Sequence, residues 1–268
     1  MMTDGEILFL GTGASAGVPM IGCKCPVCTS SSPFNKRLRP SVLLKFGEKK
    51  ILVDAGPDIR QQALHYKIDH LDGLFLTHSH YDHIGGLDDL RAYYFLRKSP
   101  LPCFLSQESY QEIKERCPYL VAPHVPGKSF PAQMQFQIAD KKFGPIAFAG
   151  VFFHLVSYIQ LGMSVLGFRV GNLAYLSDLK EFDPQVIEEI KGVDILIISA
   201  LRKEKSHAHL NLDEAIDFSR AVGAKKTWFT HMNHDIDHEE ASGSLPMNVA
   251  LAYDGLSLPF VLTNADYL

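Results

Sequence analysis

The sequence predicts an α/β layered domain, and three observations carry that expectation. Short β-branched or apolar runs alternate with helical patches along the chain. No repeat, low-complexity tract or linker divides the 268 residues, 46% of them hydrophobic, so residues 1–268 are expected to form one domain around a substantial core. Several apolar runs also end in a residue of metal-ligand type: Asp54, His78, Asp178 and His231. Buried strands deliver side chains with little freedom to one rim of a sheet, where α/β folds place their chemistry.

Strand-like runs occur in order at ILFLG (7–11), SVLLKF (41–46), KILVDAG (50–56), GLFLTH (73–78), LAYLSD (173–178), VDILIISA (193–200) and KTWFTH (226–231). GEKK between the second and third reads as a hairpin turn joining an antiparallel pair. Helices are expected over 58–66, 183–190 and 210–223. In the second, Asp183 is the cap and Pro184 stands in the first turn; the third stops near Gly223. Gly85 and Gly86 allow close backbone approach before a helix beginning near Leu87, with Asp88 and Asp89 favourable to its dipole.

A net charge of -4 excludes a global basic field for nucleic acid, although NKRLR (35–39) could form a local basic patch. The amino terminus lacks a basic region followed by a long apolar run, so no signal peptide is expected. The longest apolar stretch, VFFHLVSYIQLGMSVLGF, is interrupted by His154 and Gln160 and is not a membrane span. Clustered thiols without an export signal point to the cytoplasm. Three of five cysteines fall in CKCPVC: Cys23, Cys25 and Cys28. Disulfides fit so short a loop poorly and would leave one thiol over, whereas the three thiolates can converge on one tetrahedral zinc with a fourth ligand from elsewhere. Cys103 and Cys117 stand alone and read as buried thiols.

The densest chemistry is HSHYDH, with His78, His80, Asp82 and His83 in six positions. Imidazole and carboxylate suit zinc, manganese or iron. Two histidines one residue apart can chelate one ion while Asp82 and His83 reach a second. This motif, preceded by Asp54 and followed by Asp178 and His231, resembles the metallo-β-lactamase superfamily across nearly the whole chain. The resemblance implies an αβ/βα sandwich with two divalent ions, zinc or manganese, at one edge, Asp178 bridging them and His231 as a late ligand. FLGTGASAGVPMIGCKCPVC and THMNH (230–234) are similar to the branch containing the phosphoribosyl cyclic phosphodiesterase of the carbon–phosphorus lyase pathway. That similarity implies one structural zinc on Cys23, Cys25, Cys28 and His234.

The family places one more ligand histidine before a G-[FY] strand, and two residues compete for it. His154 has the right chemistry but lies thirteen positions before Gly167; Gln160 has the better spacing but a weaker ligand atom. Spacing favours Gln160. His209 precedes LNLDEA and matches the family's substrate-contacting histidine, while His207 reads as solvated and His65, His70, His124 and His238 as surface or core residues.

The activity implied is hydrolysis of a small, cyclic phosphodiester by a metal-bound hydroxide. His209 holds phosphate and helps protonate the leaving oxygen, Asp82 holds the nucleophile's metal, and Asp54 orients a ligand histidine. Alternatives are an iron-dependent oxidoreductase or cofactor-biosynthesis protein of the same fold, a tRNA-processing nuclease and a non-catalytic zinc scaffold. The acidic balance and the absence of an obvious long RNA-binding insertion weigh against nucleic acid. No membrane partner is expected, and an oligomer is compatible with the sequence.

Overall fold

The computed structural model describes residues 3–122 and 130–262, side chains from residue 5 onward. Fourteen strands are described: β1 (Thr3–Gly11), β2 (Ser41–Phe46), β3 (Lys49–Val53), β4 (Gly73–Phe75), β5 (Leu101–Leu105), β6 (Met134–Ile138), β7 (Gly144–Phe148), β8 (Val151–Gln160), β9 (Met163–Val170), β10 (Leu173–Leu176), β11 (Ile195–Ser199), β12 (Lys226–Thr230), β13 (Val249–Leu251) and β14 (Ser257–Leu262). Helices are α1 (Pro26–Thr29), α2 (Ile59–His65), α3 (Tyr81–Ile84), α4 (Arg91–Arg97), α5 (Gln107–Arg116), α6 (Gln185–Ile190), α7 (Leu212–Val222) and α8 (His238–Ser242).

The strands form two seven-stranded sheets, ordered β14-β1-β2-β3-β4-β5-β6 and β13-β12-β11-β10-β9-β8-β7. Between them lies an aromatic-rich core that includes Phe75, Phe104, Phe153, Phe168 and Tyr175. A second apolar cluster packs α6 and α7 on one sheet, and a third packs α2 and its neighbours on the other. Helix, sheet, sheet, helix is the αβ/βα sandwich.

Local chemistry sets these elements. Phe46 pairs with Lys49 across a two-residue turn whose Gly47 takes φ 60°, so the expected β2–β3 hairpin is present. Helix α7 opens with a capping box between Asn211 and Glu214 and closes at Gly223 with φ 71°. The Asp183 carboxylate accepts the Gln185 N–H at the start of α6. After Gly86 the chain forms a 3-10 turn, Leu87–Leu90, before α4, with Asp88 and Asp89 in that turn. The Gly85–Gly86 expectation holds in one respect: an added Cβ on Gly86 would lie 2.2 Å from the Gly56 carbonyl oxygen.

The basic patch at 35–39 does not form. Arg37 is 2% exposed and donates to the carbonyls of Asn233 and Ile236 and to Asn35 Oδ1, while Arg39 pairs with Asp58. Backbone carbonyls near the 231–237 loop draw this guanidinium inward. No helix among the described residues is long and apolar enough to cross a membrane.

Parallel pairing aligns the strand ends that matter. Val53 stands opposite Phe75, Leu176 opposite Ile198, and Ser199 opposite Thr230, so the following residues leave each sheet at one rim. The two sheets meet there, where the Leu166 N–H donates to the Thr77 carbonyl.

Candidate metal centre

Three of the four strand-ending residues leave the sheet in the left-handed region: Asp54 at φ 63°, Asp178 at φ 54° and His231 at φ 58°. That conformation is unfavourable for a non-glycine residue and tends to cluster at functional sites. Here each residue turns sharply off its strand and its side chain stays buried at the rim.

The rim gathers three overlapping donor groups: His78, His80 and Asp178; Asp82, His83 and His231; and Asp178, His209 and His231. Asp178 Oδ2 lies 3.1 Å from both His78 Nε2 and His83 Nε2, and its Oδ1 lies 3.0 Å from His231 Nε2. Asp82 Oδ2 stands 3.3 Å from His231 Nε2 and 3.5 Å from His83 Nε2. Donors bonded to one ion at about 2.0–2.2 Å would be roughly 2.8–3.6 Å apart for angles between octahedral and tetrahedral, a range that holds these separations.

A supporting layer fixes the histidines. His83 Nδ1 donates to Asp54 Oδ2 at 2.7 Å, which leaves Nε2 as a lone pair, and that buried atom has no hydrogen-bond partner. Thr77 donates its hydroxyl to Asp54 Oδ2 at 2.8 Å and its amide to Oδ1 at 2.8 Å, and its oxygen stands 3.0 Å from His78 Nδ1. Sequence reasoning missed Thr77; its place directly before His78 was the available signal. Burial opposes charge on His83, but Asp82, Asp54 and Asp178 outweigh it and raise its pKa well above the usual value. Burial likewise opposes charge on His231, and Asp178 and Asp82 push it up to about 9. Burial works against ionised Asp178, yet His231, His83 and His209 hold it well below the carboxylate range. Three buried carboxylates demand compensating positive charge, and divalent ions fit that demand and the orphaned His83 nitrogen.

Gln160, at the end of β8, is 1% exposed, and its Nε2 lies 3.0 Å from His209 Nε2. His209 stacks on His231 with ring centroids 4.9 Å apart, and burial holds its pKa down near 4. His154, the competing ligand position, is not at the rim. It lies on the same strand six residues earlier, about 20 Å away at the usual strand rise, where its Nε2 contacts Glu189. The alternative is therefore corrected: the residue with the better ligand chemistry faces α6. His207 and His65 are exposed, His70 lies against Asp69, His238 stacks on Phe34, and His124 lies outside the described residues.

A second group joins Cys23, Cys25, Cys28 and His234. Cys23 and Cys25 Sγ each stand 3.4 Å from His234 Nδ1. Tetrahedral zinc with ordinary Zn–S and Zn–N bonds would place S and N about 3.6 Å apart. The Cys28 amide and the His234 ring favour the Cys25 thiolate and lower it to about 6, while burial pushes the Cys28 thiol up to about 11. Amides of Met20, Cys25 and Cys28 point at the three sulfurs at 3.3–3.5 Å, as thiolate ligands require. Cys103 is fully buried and Cys117 half-buried, both apart from this group.

An αβ/βα sandwich with paired His/Asp donor groups sharing one aspartate at the rim defines a metallo-β-lactamase-fold protein, and the chain belongs to that superfamily: the β-lactamase superfamily domain matches residues 49–232. Among solved structures, a new diphosphatase from the PhnP family superposes with a TM-score of 0.90 at 36% identity, covering 98% of this chain and 99% of that one. An octanoyltransferase of Porphyromonas gingivalis is 36% identical over 260 residues, 93% of this chain, and the chain spans 50% of that relative's length. The coenzyme PQQ synthesis protein B of Methylobacterium nodulans is 35% identical over 100 residues, about a third of each chain.

Proposed function

We propose that this metallo-hydrolase is a phosphodiesterase acting on a small phosphodiester, a cyclic one first of all, in a reducing, cytoplasmic setting. The observation that carries the reading is the place of Asp178 between the donors of two neighbouring groups: Oδ2 lies 3.1 Å from His78 Nε2 and from His83 Nε2, and Oδ1 lies 3.0 Å from His231 Nε2. Two divalent ions, zinc or manganese, held there would supply Lewis-acid charge for a phosphoryl oxygen and an activated water at neutral pH.

The chain's own residues do the rest. Asp54 and Thr77 hold His83 and His78 with their Nε2 lone pairs toward the cluster. Asp178 ties the second sheet's contribution to the first sheet's histidines. His209 lies at the edge of the cluster, where it can meet a phosphoryl oxygen. Gln160 Oε1, buried without a partner, is the remaining acceptor suited to an ion at the His78/His80 group. Cys23, Cys25, Cys28 and His234 would hold a structural zinc that ties the amino-terminal loop to the chain three residues beyond His231.

A second reading, hydrolysis of a diphosphate, is favoured by the similarity along almost the full length of both chains to the PhnP-family diphosphatase. The test is a turnover panel with zinc- or manganese-loaded protein: cyclic and linear phosphodiesters, diphosphates and a precursor tRNA. Turnover of a small cyclic diester is expected. Diphosphate hydrolysis alone would move the assignment to the second reading. Oxygen uptake by iron-loaded protein, cleavage of the tRNA, or turnover of neither diesters nor diphosphates would overturn both.

A further inference from the structure

Helix α5 carries Glu108, Glu112 and Arg116 four positions apart, which puts them on one face. Glu108 Oε2 accepts the Ser164 amide at 3.0 Å, near the start of β9. Glu112 Oε2 accepts the Ser79 hydroxyl at 2.9 Å, and Arg116 Nη1 donates to the Ser79 carbonyl at 3.1 Å. Arg116 Nη2 closes the ring of contacts on Glu112 Oε2 at 2.7 Å. Ser79 is fully buried and stands between His78 and His80. We propose that Glu112 and Arg116 are positioning residues of the metal centre, which act through Ser79 to hold His80 on the ion it would share with His78 and Asp178. The inference rests on the metal-centre reading above and not on the choice of substrate.

The other two histidines of the motif have outer partners. Asp54 holds His83 Nδ1, and the Thr77 hydroxyl oxygen stands 3.0 Å from His78 Nδ1. His80 has no such partner among the described residues; its ring meets His78, with Nδ1 2.9 Å from His78 Nε2. A ligand imidazole without an outer partner is poorly oriented and binds its ion less tightly. The handle left for His80 is its backbone, and the Ser79 carbonyl belongs to the peptide unit that enters it. Fixing that carbonyl and the Ser79 side chain fixes the direction in which His80 leaves the chain. A Glu–Arg pair four apart on a helix is ordinarily a solvated pair that contributes little. Here the pair is 27% and 52% exposed, yet both partners reach a residue with no exposure. Hydrogen bonds to charged groups are the stronger kind. Their loss should be felt at His80 more than in the stability of the fold.

The test is a zinc titration under a competing chelator, with His80→Ala marking which rim affinity belongs to the His78/His80 group. Glu112→Ala, Arg116→Ala and Ser79→Ala are each expected to weaken that ion about 10–100-fold, with the second rim ion and the zinc of the cysteine group within about threefold of wild type. The Ser79→Ala/Glu112→Ala double variant should bind as either single variant does, because both changes break one contact. Glu112→Gln keeps an oxygen that can accept from both Ser79 and Arg116, so it should recover most of the loss. The metal-free melt of Glu112→Ala should move by no more than about 3 °C. Wild-type affinity in Glu112→Ala, equal weakening of both rim ions, or losses that add in the double variant would overturn the proposal. A wild type that binds no rim ion would remove the metal-centre reading together with it. A failed substrate panel bears on neither affinity, so the two failures remain distinguishable.

Discussion

Asp54→Asn isolates the layer behind the metal ligands. Asp54 accepts three hydrogen bonds: Oδ1 from the Thr77 amide, and Oδ2 from the Thr77 hydroxyl and from His83 Nδ1, all at 2.7–2.8 Å. An asparagine amide has one oxygen. If the NH2 takes the Oδ1 place, it opposes the Thr77 N–H; if it takes the Oδ2 place, it donates to His83 Nδ1 and drives the proton to Nε2, the atom facing Asp82 and Asp178. Either orientation sets donor against donor or removes a lone pair from the cluster. Loss of such a supporting partner weakens metal binding about 10–100-fold, equivalent to about 1.4–2.7 kcal/mol. The backbone should be spared, because φ is 63° at this position and asparagine tolerates that region at least as well as aspartate. The assay is titration with zinc under a competing chelator, alongside a denaturant melt of the metal-free protein. The expected result is one of the two rim ions bound at least tenfold more weakly with little change in the metal-free melt. Affinities within threefold of wild type for both ions would refute the reasoning.

Three further outcomes are expected. Cys25→Ser should lose one equivalent of zinc and melt several degrees lower, since a closed Cys3His site contributes directly to folding; unchanged metal content by atomic absorption would remove the structural-zinc assignment. Gly86→Ala should lower stability by about 1–3 kcal/mol through overpacking, because the new methyl would meet Gly56 O at 2.2 Å and Ile59 Cγ2 at 2.4 Å; an unshifted urea midpoint counts against it. His154→Ala should leave metal content unchanged and stability within about 1 kcal/mol, as for a surface ion pair, so lost metal in that variant would reinstate His154 as a ligand.

Much of the site could be read in advance because strand ends and the six-residue HSHYDH motif are local in sequence. What stayed hidden depended on tertiary geometry. The left-handed turns at Asp54, Asp178 and His231 carry no sequence mark that separates them from ordinary strand endings. His154 and Gln160 lie an even number of positions apart on β8, so alternation gives them the same face and only distance along the strand separates them. The β8–β9 hairpin itself was overlooked inside one apolar run, although Leu161–Gly162 is its turn. Short or half-exposed strands such as β6, β7 and β13 offered too little pattern. Arg37 shows the opposite failure: composition favours the surface for arginine, and three oxygens bring it inside.

The chain passes from the first sheet to the second between Ile138 and Gly144, and only β14 returns. The first sheet brings His78, His80, Asp82 and His83, and the second brings Asp178, His209 and His231, with Asp82 and His231 separated by 149 positions. No ion can be fully seated until the two halves dock, so any ion bound there acts as a rivet across the seam. Its binding energy adds to cohesion between the sheets, growing with the logarithm of free ion concentration. Chelation should therefore loosen the seam before it loosens either sheet, and a protease should find the 139–143 crossover more readily in stripped than in loaded protein. A chain nicked there would still have reason to stay together: two fragments, each holding half a coordination shell, whose reassembly an added metal would drive.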